Sequence, residues 1–258
     1  MMQSSVSISL SSFGAHLVRA QGQACFLPLV AQAGASHVEL REELLEPDAD
    51  LAAYRRQASA LGLTLVYSSP LELWQLDSNR PQSQLATALA AASEAGACWL
   101  KVSLGHFTPN ADFKALADQL KSSPVRLLVE NDQTFQGGRI EPLVQFFAGA
   151  RARQVPVGMT FDIGNWQWQG QSALGAAGQL GQYVDYLHCK AVRMNPESKL
   201  VAVPPERHDL ADWARLLRRF PEGIVRAIEY PLEGADTGRV AAERVAELAT
   251  LGREVAHA

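Results

Sequence analysis

Eight short apolar runs, each followed by a segment with helical periodicity, divide the chain into units of about 32 residues. The runs are rich in β-branched residues and read VSISLS (6–11), SHVEL (36–40), LTLVYS (63–68), CWLKVSL (98–104), VRLLVE (125–130), VGMTFD (157–162), VDYLHCK (184–190) and IVRAIEY (224–230). Segments such as 48–62, 81–96, 139–154 and 209–220 place apolar residues three and four apart, as amphipathic helices do. Several of them begin after Pro, Asp or Asn and end near Gly, where caps belong. Strict alternation of strand and helix predicts a parallel sheet.

Two parallel architectures compete. A doubly wound sheet would carry a Gly-rich phosphate fingerprint after its first strand, and SLSSFGAHLVRAQGQ at that place has no G-x-G-x-x-G. The length of 258 residues suits one α/β barrel or two small domains. No linker or composition break interrupts the eight units, so the expected fold is α/β, a single (β/α)8 barrel with residues 1–258 as one domain.

Charge and cysteine content narrow the function classes. Hydrophobic residues make up 47% and charged residues 19%, an ordinary globular balance that disfavours disorder. The formal net charge of −4 provides no electrostatic footprint for a nucleic-acid backbone. Cys25, Cys98 and Cys189 are widely spaced and odd in number, which points to reduced thiols in a cytoplasmic protein. No basic residue precedes Arg19, so a secretory leader is not expected, and the Ala-rich stretch 85–100 falls short of the roughly 20 apolar residues of a membrane span.

In a barrel of this kind the active site forms at the C-terminal ends of the strands. The fifth apolar run ends in Glu130, the sixth in Asp162, the seventh in His188 and the eighth in Glu229. These residues are 32, 26 and 41 positions apart, each one structural unit after the last. Strand alternation puts them on one side, with Val129, Phe161, Cys189 and Ile228 on the other. A single carboxylate at a strand end is usually a loop or capping residue, but four polar groups on four successive strand ends form a set. Three converging carboxylates repel one another unless a cation offsets them. An oxygen-rich site with one nitrogen donor suits Mn²⁺, Mg²⁺ or Co²⁺, and also admits Zn²⁺.

The ordered set Glu130 in VEN, Asp162 in FDIGN, His188 in LHCK and Glu229 in IEY resembles the xylose-isomerase-like TIM-barrel superfamily. That superfamily includes sugar-phosphate isomerases and epimerases, inosose and dehydroshikimate dehydratases, and endonuclease IV, and the resemblance covers nearly the whole chain. It implies that Glu130, Asp162, His188 and Glu229 bind one catalytic divalent cation. In the epimerase branch it further implies that the two Glu move a proton on either face of a metal-stabilised enediolate. The expected protein is a metal-dependent isomerase or epimerase of carbohydrate metabolism, acting on a small sugar, sugar phosphate or related polyhydroxy carbonyl compound.

This sequence departs from the family pattern at three places. Asn165 stands where tagatose- and psicose-type epimerases carry the His of Asp-x-x-His. The extra ligands and basic surface of endonuclease IV are missing, which excludes DNA repair. Lys190, two residues after His188, gives His-x-Lys, similar to the dehydratase branch. Lys190 therefore joins Glu130 and Glu229 as a catalytic candidate that could steady an enolate or bind a substrate carboxylate, with a salt bridge to a metal ligand as its alternative role. A dehydratase of a cyclic keto-polyol or keto-acid is the first alternative, and a non-catalytic carbohydrate-binding barrel the second.

Other polar residues near the same rim are candidates for substrate contact. Glu39 and Arg41 share a face of the second strand, and Lys101 and Ser103 share one of the fourth; each pair could contact substrate hydroxyls or phosphate, or form a buried ion pair. His106 follows in LGHF as a loop residue or a ligand, while Asn165, Trp166 and Trp168 follow Asp162, the Trp rings as walls on which a sugar could stack or, for at least one of them, as ordinary packing. Gly137 and Gly138 offer a loop before a helix N-terminus where a phosphate could bind. The partner is a carbohydrate-like small molecule, with no nucleic acid or membrane, and the resemblance leaves a homodimer open.

Overall fold

A computed structural model describes residues 5–252. The outermost residues of the expected domain, 1–4 and 253–258, lie outside the described residues. Eight parallel strands close into a barrel: β1 (Val6–Ser9), β2 (His37–Arg41), β3 (Thr64–Trp74), β4 (Trp99–Gly105), β5 (Arg126–Glu130), β6 (Val157–Asp162), β7 (Val184–Cys189) and, after a hairpin of β8 (Ala191–Met194) and β9 (Leu200–Val203), β10 (Val225–Ile228). The barrel runs β1-β10-β7-β6-β5-β4-β3-β2 and back to β1, with helices between the strands as a (β/α)8 barrel requires. Each of the eight barrel strands begins within two residues of its apolar run.

Local chemistry explains the helix boundaries. Asp50, Asp112, Ser172 and Asp236 cap helices Leu51–Ala60, Phe113–Leu120, Ala173–Leu180 and Thr237–Thr250, each side chain accepting a backbone N–H of the first turn. Gly62 and Gly96, with φ of 70° and 71°, turn the chain back toward the next strand, a conformation that favours glycine.

The sheet has two unlike faces. Val129, Met159, Phe161, Leu187, Cys189 and Ile228 pack outward into the main core against the helices. A second, small cluster of Val66, Leu128, Tyr186, Val225 and Ala227 fills the barrel interior. The side-chain period of two thus sends apolar residues outward and leaves the upper interior to polar groups.

Two features depart from the sequence reading. β3 runs on to Trp74, with a register shift between Ser68 and Glu72 that carries Glu72 to the rim beside Ser103. The β8–β9 hairpin directly follows Lys190 and pairs antiparallel, its turn organised by Asn195, whose side chain accepts the backbone N–H of Glu197 and Lys199. Arg126 and Arg226 lie away from the mouth. Arg126 pairs with Asp185 at 2.6 Å near the strand starts, and Arg226 donates to the carbonyls of Leu248 and Leu251 at the end of the last helix.

Candidate metal centre

Glu130, Asp162, His188 and Glu229 each offer one ligand atom at the top of the barrel, and these four atoms lie within 4.8 Å of one another. Each of the three carboxylates commits one oxygen to the protein and presents the other. Asp162 Oδ1 accepts the backbone N–H groups of Gly164 at 2.8 Å and Asn165 at 2.9 Å, leaving Oδ2 toward the centre. Glu130 Oε2 is held by the Lys101 ammonium at 2.5 Å, leaving Oε1. Glu229 Oε1 accepts from Arg41 Nη1 at 2.9 Å, while Oε2 faces the centre and accepts from Lys190 Nζ at 2.8 Å.

The imidazole is divided in the same way. His188 Nε2–H donates to Glu39 Oε2 at 2.7 Å, and Nδ1 lies 2.9 Å from Glu130 Oε1, 2.9 Å from Glu229 Oε2 and 3.8 Å from Asp162 Oδ2. Both His188 and Glu39 are fully buried. Buried carboxylates fix the orientation and tautomer of ligand imidazoles in this manner.

The donor set fits a divalent cation. Glu130 Oε1, Asp162 Oδ2 and His188 Nδ1 are buried atoms with no hydrogen-bond partner among the described residues, although buried polar atoms are normally satisfied. A lone-pair nitrogen cannot face carboxylate oxygens at 2.9 Å without positive charge between them, supplied by a proton or a metal ion. Three oxygens and one imidazole nitrogen around one point match the preferences of Mn²⁺, Mg²⁺, Co²⁺ or Zn²⁺. No thiolate competes: Cys189 is buried on the helix side, where burial pushes its thiol up to about 12.

The surrounding charges favour the ionised forms of Glu39, Glu130 and Glu229. Burial pushes Glu39 up, but His188, Lys101 and Arg41 outweigh it and hold the carboxyl at about 2. Glu229 is also buried, yet His188 and Lys190 draw it well below the usual range. For Glu130, Lys101 and His188 overcome the burial penalty. Asp162 moves the other way, because burial outweighs Lys190 and raises it.

The remaining sequence candidates divide into three groups. Glu39, Arg41, Lys101 and Lys190 join the centre: Arg41 spans Glu39 and Glu229, and Lys190 Nζ lies 2.7 Å from Asp162 Oδ2 and 2.8 Å from Glu229 Oε2. His106 is one-third exposed on the rim, 3.6 Å from Glu72, and is not part of the cluster. Asn165 is buried and holds the framework, donating to the Asn131 carbonyl at 2.8 Å and accepting from Gln133. Its engaged side chain is therefore a scaffold rather than a group aimed at substrate.

Two expectations need correction. Trp166 does not wall the site: it is fully buried, packs against Phe161 at 5.4 Å and faces the helix side, where it lines a cleft with Trp213, Leu216 and Leu174. Phe161 points outward, so its ring draws Trp166 into the same layer. The Gly137–Gly138 loop is no phosphate cradle, because the Asp132 carboxylate occupies it, with Oδ1 2.6 Å from where a Gly137 Cβ would lie. Asp132 there accepts from the Thr134 amide and hydroxyl.

Asn131 and Gln23 contribute in ways the sequence reading missed. Asn131 donates to the Asp162 carbonyl and accepts the Asp162 N–H, at 2.9 and 2.8 Å. Gln23 does the same for the Arg41 backbone at 2.9 and 2.8 Å. Each amide continues the strand ladder past its last backbone bond and fixes the residue that carries the functional group. Asn131 follows Glu130 directly, a usable signal; nothing near Gln23 connects it with Arg41.

A family model described as xylose isomerase-like TIM barrel matches residues 27–251, and the chain belongs to that family. No curated protein matches the chain. Solved structures share the fold at low identity. The IOLI protein with a binding zinc atom is 13% identical with a TM-score of 0.72, covering 96% of this chain and 98% of that one. D-Psicose 3-epimerase with D-tagatose from Clostridium cellulolyticum H10 is 16% identical with a TM-score of 0.62, covering 96% of each. The probable 3-DHS dehydratase AsbF from Bacillus anthracis, involved in petrobactin synthesis, is 10% identical with a TM-score of 0.66, covering 95% of this chain and 98% of that one. Among the described residues, no helix is long and apolar enough to cross a membrane.

Proposed function

We propose that this member of the xylose isomerase-like TIM-barrel family is a divalent-metal-dependent isomerase or epimerase of a small polyhydroxylated carbonyl compound. One observation carries the reading: Glu130 Oε1, Asp162 Oδ2 and His188 Nδ1 are buried without hydrogen-bond partners among the described residues and face a common point at the barrel mouth. Glu130, Asp162, His188 and Glu229 would hold the ion, with Glu39 orienting His188. When bound, a divalent ion supplies Lewis acidity that makes a C–H beside a substrate carbonyl easier to remove.

The chain's own residues would move the proton. Lys101 beside Glu130 and Lys190 beside Glu229 favour the ionised carboxylates, so either could accept a proton from a carbon placed above it. Two carboxylates on different strands allow removal on one face and return on the other, which an epimerase needs. Arg41 and Lys190 would hydrogen-bond substrate oxygens as charge develops on them. The zinc-bound IOLI protein and D-psicose 3-epimerase, both of this fold, support the reading.

A second reading is a dehydratase. It is favoured by Lys190, whose ammonium reaches Asp162 and Glu229, and by Asn165, whose side chain is engaged with Asn131 and Gln133 where sugar epimerases offer a His. The 3-DHS dehydratase is a structural neighbour. Both reactions begin by removing a proton beside a carbonyl, and they differ in whether a hydroxyl then leaves.

Incubation with ketoses, ketose phosphates, inososes and dehydroshikimate, each with Mn²⁺, Mg²⁺ or Co²⁺, tests the proposal. An isomerase or epimerase exchanges one substrate C–H with solvent deuterium and gives a product of unchanged mass formula. A dehydratase product has lost water and absorbs in the ultraviolet. Turnover that persists in Glu130→Gln and Glu229→Gln variants would contradict the assigned proton transfer.

A further inference from the structure

Among the described lysine and arginine side chains, Lys190 is the one that contacts the oxygens Asp162 and Glu229 present inward, which they also present to His188 Nδ1. Arg41 and Lys101 bind the opposite oxygens, Glu229 Oε1 and Glu130 Oε2. Lys190 Nζ instead donates to Glu229 Oε2 at 2.8 Å and lies 2.7 Å from Asp162 Oδ2. The second contact is an ion pair without hydrogen-bond alignment, since Asp162 Oδ2 has no hydrogen-bond partner among the described residues.

The ammonium has little freedom to withdraw. Lys190 is buried, with 7% of its side chain exposed. Its stem crosses Gly164 so closely that a Cβ there would lie 2.7 Å from Lys190 Cγ and 2.8 Å from Val192 Cγ2. The glycine thus makes room for the Lys190 stem, beside which Val192 of β8 packs.

We infer that Lys190 is a built-in counter-cation that competes with the divalent ion for Asp162 Oδ2 and Glu229 Oε2, so that the centre binds metal more weakly than its donor set allows. The inference rests on the metal reading above. In the metal-free protein the ammonium holds two like-charged carboxylates together. A divalent ion on the same two oxygens would sit a few ångströms from Nζ, where like charges repel strongly in a buried site. The consequence is a ready-formed site whose ion exchanges with solution instead of being held permanently.

The test is Mn²⁺ affinity, measured by calorimetry on wild type and on Lys190→Met and Lys190→Gln variants. Circular dichroism checks the fold. Both variants should bind Mn²⁺ about tenfold or more tightly than wild type. They should also melt lower than wild type without metal and close that gap when saturated. Should a variant fold only with Mn²⁺ present, its affinity is read by competition with a chelator. Equal or weaker binding by folded variants would overturn the inference while leaving the metal site in place. If neither wild type nor variants bind Mn²⁺, the metal reading fails, and this inference with it.

Discussion

His188 Nε2–H donates to Glu39 Oε2 at 2.7 Å with both side chains fully buried, and this pairing makes Nδ1 the atom that meets Glu130, Asp162 and Glu229. The two residues lie 149 positions apart in the sequence. β2 and β7 are not neighbours, since β1 and β10 lie between them. The bond therefore crosses the barrel mouth, and the orientation of His188 depends on closure of the barrel.

Glu39→Gln tests that dependence. The amide can still accept from Nε2–H but lacks the charge that raises imidazole basicity. Mn²⁺ affinity should fall about 10- to 100-fold, read by calorimetry, with the far-ultraviolet spectrum unchanged. Unaltered affinity would remove Glu39 from the account.

Asn131→Ala removes two hydrogen bonds and leaves the Asp162 N–H and carbonyl buried without partners. The expected cost is about 2–4 kcal/mol in urea unfolding. Because Asp162 would lose its alignment, metal binding should weaken as well.

Arg226→Met provides the contrast. The guanidinium serves the last helix, donating to Leu248 O at 2.6 Å and Leu251 O at 2.8 Å. Its loss should cost about 2 kcal/mol of stability and leave Mn²⁺ affinity as in wild type.

Gly164→Ala places a methyl group within 2.8 Å of the Lys190 and Val192 side chains. Overpacking of this kind costs about 1–3 kcal/mol, visible as a lower melting temperature. A crystal structure of the variant should show Lys190 Nζ displaced from Asp162.

Much of this architecture was legible in the sequence because periodicity of two and of 3.6 reports which face is buried. The run VGMTFD identifies both a strand and its inner face, with Asp162 at the open end. The same reasoning collected Glu130, His188 and Glu229, since barrel geometry brings strand ends together whatever their separation along the chain. Trp166 went astray because position after a strand end says nothing of rotation about the loop, and Phe161 offered a better surface for the ring. The β8–β9 hairpin also escaped, although an apolar run on each side of Asn195–Pro196 is a turn signal. Pairings such as Gln23 with Arg41, or Lys190 with two presented oxygens, depend on rotamers and packing that no spacing encodes.

The central claim is that Glu130, Asp162, His188 and Glu229 form one divalent-cation site, and titration of metal-stripped protein with Mn²⁺ tests it most directly. Wild type should bind one ion per chain, and Asp162→Ala, which deletes a presented oxygen without touching the other three ligands, should bind none. Failure of wild type to bind at saturating Mn²⁺, or undiminished binding by a folded Asp162→Ala, would contradict the claim.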